Sequence, residues 1–138
     1  MKRVYQTKFG NIEGNCMSAC LASMLELNIE DTLEFETMKT DDGSWWVEMR
    51  EWLYTKGYSP LEIIWPPGKS KNDIHIFPNE GQICWAVGKS PRGNYLHAVL
   101  VEWYENDWIV CHDPHPSGVG LAGSIELIGM LVPLNVIK

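Results

Sequence analysis

The spacing of hydrophobic positions divides the chain into a helical first part and a strand-rich second part. Residues 16–27 are rich in Ala, Met and Leu, lack Gly and Pro, and are apolar on nearly every face, which predicts a largely buried central helix. A second amphipathic run predicts a helix over Trp45–Lys56, with Ser44 as its N-cap and Gly57 just beyond its end. Between these two runs, Asp31–Glu34 has the spacing of a capping box, which predicts a further short helix.

From residue 58 onward the hydrophobic period changes to two, which is typical of β-strands. The predicted strands are Tyr58–Ile64, Gln82–Gly88, Tyr95–Trp103, Asp107–His112 and Glu126–Pro133. Residues 66–81, which hold three prolines, are predicted to form an exposed loop. Helices followed by strands predict an α+β fold in which the helix packs on an antiparallel sheet. Because the chain has no repeat or low-complexity segment, residues 1–138 are expected to form a single domain.

Charge and cysteine content narrow the classes of function. The 138 residues carry a net charge of −7 and no run of Lys and Arg, so nucleic acid is not expected as the main partner. No stretch has the apolar length of a secretory signal or a membrane span, so no membrane partner is expected either. The four cysteines form no CxxC pair, which favours reduced thiols and a cytoplasmic location.

Cys16 is the candidate nucleophile because it opens the predicted central helix. A thiol in the first helical turn faces unpaired backbone N–H groups and the positive end of the helix dipole, and both favour the reactive thiolate. Gly14 and Asn15 supply a tight turn that exposes the sulfur at the helix tip. Taken alone, Cys16 fits a structural role equally well. Cys20, one turn deeper among apolar residues, is expected to be a small core residue.

His97 and Asp113 are the candidate base and its partner. His97 begins one predicted strand, and the next strand follows after a turn-rich link centred near Glu105, so the two strands should form a hairpin. A loop of two or three residues places His97 opposite Asp113 or Pro114, so that Asp113 lies beside the imidazole, directly or diagonally. A lone buried histidine is more often structural, but the facing carboxylate favours a catalytic pair. Gln6 is a candidate donor to a developing oxyanion, together with the Cys16 backbone N–H.

These residues, taken in order, carry a resemblance to a known family. Gln6, then Gly14-Asn15-Cys16 opening an Ala-rich helix, then His97-Ala98-Val99 on a strand, then Asp113-Pro114, resemble the papain-like cysteine peptidases. The branch they resemble includes the double-glycine leader peptidases of bacteriocin exporters. The same motifs are also similar to small proteins of bacteria and their phages that are described only as papain-like, which implies the cytoplasm of a bacterium or, for a phage protein, that of its host.

The resemblance implies a fold and four roles. It implies a helix packed on an antiparallel sheet with the active site between them. It also implies Cys16 as nucleophile, His97 as general base and then general acid, Asp113 as the residue that orients His97, and Gln6 as oxyanion-hole donor. The expected activity is that of a cysteine-dependent hydrolase that acts through a thioester on a peptide, an isopeptide or a small amide. The alternative is a non-catalytic binding or inhibitor protein on the same scaffold, such as a phage counter-defence protein with a protein partner.

A metal site is a further alternative, because ligand-type residues cluster late in the chain. Cys111, His112, Asp113 and His115 lie close in sequence, with Cys84 as another candidate ligand. On one strand Cys111 and Asp113 share a face while His112 points away, which does not suit tetrahedral zinc. No metal and no cofactor are therefore expected. His112 and His115 are expected in the wall of the active site or in a solvated loop.

Overall fold

The computed structural model describes residues 1–11, 14–34, 43–66 and 78–135. In these residues the chain forms two α-helices, one short 3₁₀ turn and a five-stranded sheet. The elements are α1 (Cys16–Leu25), α2 (Ser44–Thr55), β1 (Tyr58–Ile64), β2 (Ile83–Lys89), β3 (Leu96–Tyr104), β4 (Asp107–His112) and β5 (Leu127–Pro133). Neither helix is both long and apolar enough to cross a membrane.

The sheet is antiparallel throughout, in the order β1-β5-β2-β3-β4. The fold is therefore α+β with an antiparallel sheet, as the hydrophobic pattern predicts. The hairpins β2–β3 and β3–β4 join strands that are neighbours in sequence, whereas β5 inserts between β1 and β2. This insertion pairs the first and last of the described strands, with β1 at one edge of the sheet and β5 between β1 and β2.

The first helix packs on the sheet next to β3. Its residues from Met17 to Ser23 are all buried, and Cys20 is fully inaccessible, which confirms the prediction that Cys20 is a core residue. The helix ends at Leu25 because Glu26 adopts the left-handed conformation at φ 57°, two residues before the predicted end. The core on this face of the sheet is formed by Met17, Cys20, Leu21, Met49, Leu53, Trp85, Ala98 and Leu100.

The opposite face of the sheet carries a second hydrophobic cluster. Three of its tryptophans, Trp65, Trp103 and Trp108, contact one another edge to face. The buried members of this cluster are Cys84, Ala86, Val99, Val101, Trp108 and Ile128. Because both faces of the central strands are covered, apolar residues occupy inward and outward positions alike.

The predicted capping box is wrong. Asp31 is the last residue of a 3₁₀ turn that begins at Ile29, and Thr32 is extended, so no helix begins there. The Thr32 hydroxyl donates a hydrogen bond back to the Asn28 carbonyl, and Glu34 pairs with Lys8 instead of capping a helix. Residues 35–42 and most of the predicted loop at 66–81 lie outside the described residues.

The remaining predicted boundaries agree with the structure to within one residue. β1 and β4 have the predicted bounds, while β2 and β3 each begin and end one residue later than predicted and β5 begins one residue later. The helix α2 begins at Ser44 itself, and Gly43 at φ 75° is its N-cap, one residue before the predicted cap. Gly57 follows the end of α2 at φ 88°, which is a backbone conformation that favours glycine.

Candidate active site

Cys16 is the first residue of α1 and is partly exposed at the helix tip. The residue before it, Asn15, makes no side-chain hydrogen bond to the first turn of the helix, and that turn contains no acidic residue. The backbone N–H groups of the first turn and the positive end of the helix dipole therefore act on the Cys16 sulfur and on any anion formed beside it.

The Asn15 side chain is fully buried and turned toward the N-terminal segment of the chain. Its Oδ1 accepts hydrogen bonds from the backbone N–H groups of Thr7 and Lys8, each at 3.0 Å, and its Nδ2 donates to the Thr7 hydroxyl. The preceding Gly14 lies so close to the Gly10 carbonyl that a Cβ would fall 2.3 Å from the Gly10 oxygen. Glycine is therefore required there, which is the structural basis of the predicted turn.

His97 and Asp113 form the central contact of the site. His97 Nε2–H donates to Asp113 Oδ1 over 2.7 Å, and each of the two side chains is 3% exposed. Cys16 also acts on the His97 ring, and since Nε2 faces Asp113, Nδ1 is the ring nitrogen left for the thiol. Burial opposes protonation of His97, but the hydrogen bond to Asp113 and the electrostatic attraction of Cys16 and Asp113 outweigh it and raise the pKa of His97 to about 9.

The hairpin between β3 and β4 makes this contact in a different register from the predicted one. A two-residue turn at Glu105 and Asn106, both at positive φ, starts the pairing as expected. Val101 then pairs with Val110, but Leu100 pairs with His112, so a bulge inserts one extra residue in β4. If the shifted register is continued, Asp113 lies diagonally across from His97. The predicted contact between the two side chains is therefore a diagonal one.

Asp113 is also held by the loop that follows it. Its Oδ1 accepts the backbone N–H of His115 at 2.9 Å, and its Oδ2 accepts that of Gly120 at 2.8 Å. Burial alone would raise the pKa of Asp113. The hydrogen bonds from His97 and these two N–H groups together have a larger, opposite effect, so the pKa of Asp113 lies below its ordinary value. The loop after Asp113 thus contacts the carboxylate through the backbone of His115 and Gly120.

Gln6 lies beside Cys16 and His97 in a small polar cavity. Its side chain is buried, its Nε2 donates one hydrogen to the Lys8 carbonyl at 2.9 Å, and its Oε1 has no hydrogen-bond partner among the described residues. The segment that carries Gln6 is fixed on both sides. Gln6 N–H donates to the Pro114 carbonyl at 3.0 Å, and Val4 N–H donates to the Ser23 hydroxyl at 3.0 Å.

A cleft of about 430 Å³ opens from the Cys16–His97 pair along the helix-facing side of the sheet. Its walls are mainly apolar, and Trp45 forms part of them. Glu62 also lines the cleft, although sequence reasoning gave it no role. The lining residues are Asn11, Cys16, Met17, Trp45, Glu62, Val87, Tyr95, Leu96, His97, Ala98 and Leu127.

The two later histidines have different positions. His112 is buried away from the cleft, and its Nε2–H donates to the Val4 carbonyl over 2.7 Å. His115 lines the small cavity beside His97, at 6.4 Å between ring centroids. Burial, the Arg92 guanidinium and protonated His97 lower the pKa of His115 despite the nearby Asp113 carboxylate. Among the described residues, no three His, Cys, Asp or Glu side chains are arranged to hold a metal ion.

The four candidate catalytic side chains therefore lie together: Cys16 and His97 line the cleft, Gln6 lines the small cavity beside them, and Asp113 contacts His97. No protein-family model, no curated protein and no solved structure matches this chain. What the protein does is accordingly inferred from the chemistry that these side chains perform together.

Proposed function

We propose that this protein is a cysteine-dependent hydrolase of papain-like fold, which cleaves a peptide, isopeptide or small amide bond through a thioester intermediate. The observation that carries the proposal is the arrangement of Cys16, His97 and Asp113, in which a helix-tip thiol lines the same cleft as an imidazole that is hydrogen-bonded to a buried carboxylate. A nucleophile, a base and a group that orients the base are the three parts of such catalysis. The placement of the thiol at a helix tip, of His97 on an antiparallel sheet and of Asp113 directly after β4 supports the papain-like assignment.

The charges of these three residues suit a thiolate nucleophile. His97 has its pKa raised to about 9, so its imidazolium persists at neutral pH, next to Cys16. The ionised Asp113 fixes the ring by accepting from Nε2, which leaves Nδ1 as the nitrogen available to the Cys16 sulfur. A thiolate–imidazolium pair of this kind reacts without first having to lose a proton to solvent.

Acylation follows from this arrangement. The Cys16 sulfur attacks the substrate carbonyl carbon, a C–S bond forms, and the carbonyl oxygen becomes an oxyanion. The Cys16 backbone N–H and the second Nε2 hydrogen of Gln6 donate to that oxygen. As the C–N bond breaks, His97 gives its Nδ1 proton to the leaving amine, and the acyl group remains on sulfur as a thioester.

Deacylation reverses the roles of the same residues. Neutral His97 takes a proton from water at Nδ1, and the water oxygen attacks the thioester carbon. When the C–S bond breaks, the carboxylic acid product leaves and the thiolate–imidazolium pair is restored. An amine in place of water would give acyl transfer by the same steps.

The test is the alkylation rate of each cysteine with iodoacetamide across pH, read by intact mass and peptide mapping. Cys111 is an internal reference because, like Cys16, it is partly exposed. Burial and the Glu102 carboxylate raise the pKa of Cys111, so it represents a thiol that is not activated. We expect Cys16 to react much faster than Cys111 below neutral pH, and to slow in His97→Ala. If Cys16 reacts no faster than Cys111, or is unaffected by the loss of His97, the hydrolase proposal fails. The chain is then better explained as a binding protein on this scaffold.

A further inference from the structure

Glu62 is a charged residue in a wall of the cleft that the proposed mechanism does not use. It lies on β1, in a lining otherwise formed mainly by apolar side chains such as Met17, Trp45, Val87 and Leu127. Among the described lining residues it is the only carboxylate. A carboxylate in such surroundings is costly unless it meets a donor or a cation.

The described residues supply Glu62 with a donor but with no cation. The indole N–H of Trp85 donates to Glu62 Oε2 over 2.7 Å. Within the described residues, no Lys, Arg or His forms an ion pair with Glu62. Burial raises the pKa of Glu62, and the hydrogen bond from Trp85 only partly opposes this. A cation that entered the cleft would offset the cost of keeping this carboxylate charged.

The packing of Trp85 fixes the position of the Glu62 carboxylate. Trp85 is fully buried, and its indole lies directly against the backbone of Gly129, where a Cβ would come within 1.8 Å of the ring. The indole therefore cannot shift toward β5, and its N–H holds Glu62 in place on β1. A carboxylate held in this way selects a ligand by the position of its charge as well as by its sign.

We propose that the cleft recognises a substrate side chain that is an unbranched apolar stem ending in an ammonium group, as in lysine, with Glu62 as the residue that binds the cation. The inference rests on the proposed function, since the cleft begins at Cys16 and His97. The apolar walls contact the stem, and the carboxylate at the wall pairs with the charged tip. The net charge of −7 on the chain also favours the approach of a cationic substrate.

The experiment uses two alkylating probes that differ only at the tip. N-(5-aminopentyl)chloroacetamide and N-hexylchloroacetamide have arms of the same length, ending in an ammonium or a methyl group. In each, the Cys16 sulfur displaces chloride and forms a C–S bond. The rate of labelling at Cys16 is measured at neutral pH for both probes by mass spectrometry, with Cys111 as the reference thiol.

We expect the wild-type protein to label about tenfold faster with the ammonium probe, which corresponds to one charge-assisted hydrogen bond. In Glu62→Gln the preference should disappear, because the amide oxygen still accepts from Trp85 but the charge is gone. Glu126→Gln is the matched control. It removes the same charge from an exposed residue just before β5, which is not among the cleft-lining residues, and should keep the preference.

A third probe tests the sign of the interaction in the wild-type protein itself. A carboxylate-tipped arm of the same length should label Cys16 more slowly than the hexyl arm. Equal rates with all three probes at a fast-reacting Cys16 would overturn the Glu62 inference and leave the hydrolase proposal standing. A Cys16 that reacts no faster than Cys111 with any probe would overturn both.

Discussion

The imidazole of His97 and the carboxylate of Asp113 are joined by a 2.7 Å hydrogen bond in a place where both side chains are almost sealed from solvent. Burial alone would drive such a pair toward neutrality. Two backbone N–H groups, from His115 and Gly120, also donate to the carboxylate, so three donors keep Asp113 ionised. The charge of Asp113 in turn favours the protonated form of His97.

Replacement of Asp113 by Asn should lower the pKa of His97 from about 9 toward its ordinary value near 6.5. The amide keeps the shape but removes the charge that favours imidazolium. The measurement is an NMR titration of the His97 ring, together with the alkylation rate of Cys16, which should fall at neutral pH. Asp107→Asn, at the exposed start of β4, is the control and should change neither quantity. An unchanged His97 titration in Asp113→Asn would contradict the assigned role of the carboxylate.

His97 should also make stability depend on pH in a defined window. Its folded pKa, about 9, lies above its unfolded value near 6.5, so its stabilising contribution is complete below about 6.5 and is lost as pH rises toward 9. The free energy of unfolding, measured in urea, should therefore decrease across this interval. The decrease should be smaller in His97→Gln.

Cys84 should also make the free energy of unfolding decrease as pH rises, but at higher pH than His97 does. Burial raises the pKa of Cys84 to about 11, with a weaker opposing hydrogen bond from Gln82, so its contribution is lost only above its ordinary value near 9. Comparison of wild type with His97→Gln between about pH 6.5 and 8.5 therefore isolates His97. Identical slopes in the two proteins would show that His97 does not gain a proton on folding.

Loss of the Gln6 side chain should slow acylation while leaving alkylation intact. Attack of Cys16 on p-nitrophenyl acetate passes through an oxyanion, whereas displacement of iodide from iodoacetamide does not. Gln6→Ala should therefore reduce the rate of p-nitrophenol release by about 10²- to 10³-fold with little change in the iodoacetamide rate. Gln82→Ala, an exposed glutamine, should change neither rate. A parallel drop in both rates for Gln6→Ala would indicate that Gln6 supports the shape of the site instead.

Gly129→Ala should destabilise the fold strongly. The added Cβ would lie within 2.3 Å of three Trp85 ring atoms, and the fully buried indole has no free space to enter. We expect a loss of about 3 kcal/mol in the free energy of unfolding, at the upper end of overpacking costs. Gly123→Ala is the matched control, since nothing lies within 4 Å of its Cβ position. Equal stabilities of the two variants, followed by tryptophan fluorescence in urea, would refute the packing argument.

The sequence predicted the strands well because their signals are local. The period of two and the turn residues at Glu105 and Asn106 place the β3–β4 hairpin, and alternation alone gives the bounds of β1 and β4. The bulge in β4 was not predictable, because one extra residue changes the register without changing the hydrophobic pattern. The helix predicted from the capping box at Asp31 was wrong because the same short polar motif also occurs at the end of a 3₁₀ turn.

The candidate site was likewise predictable only where its residues depend on neighbours in sequence. Cys16 is predictable from a helix start, and the His97–Asp113 pair from hairpin spacing, since each depends on neighbours in sequence. Glu62 was missed because it reaches the cleft only through the insertion of β5 between β1 and β2, a pairing that no local pattern encodes. The role of Gly120 depends likewise on the path of a loop.

The N-terminal segment, residues 4–8, connects the helix that carries Cys16 to the part of the sheet that positions His97 and Asp113. Residues 4–8 are hydrogen-bonded to Ser23 of α1 and to Asn15 just before it, and to the β4 end of the sheet through His112 and the Pro114 carbonyl. The helix that carries the nucleophile therefore cannot separate from the strands that carry its partners unless this segment detaches as well. Opening of the site and release of the segment become one cooperative event, which amide hydrogen exchange at Val4 and Gln6 would report.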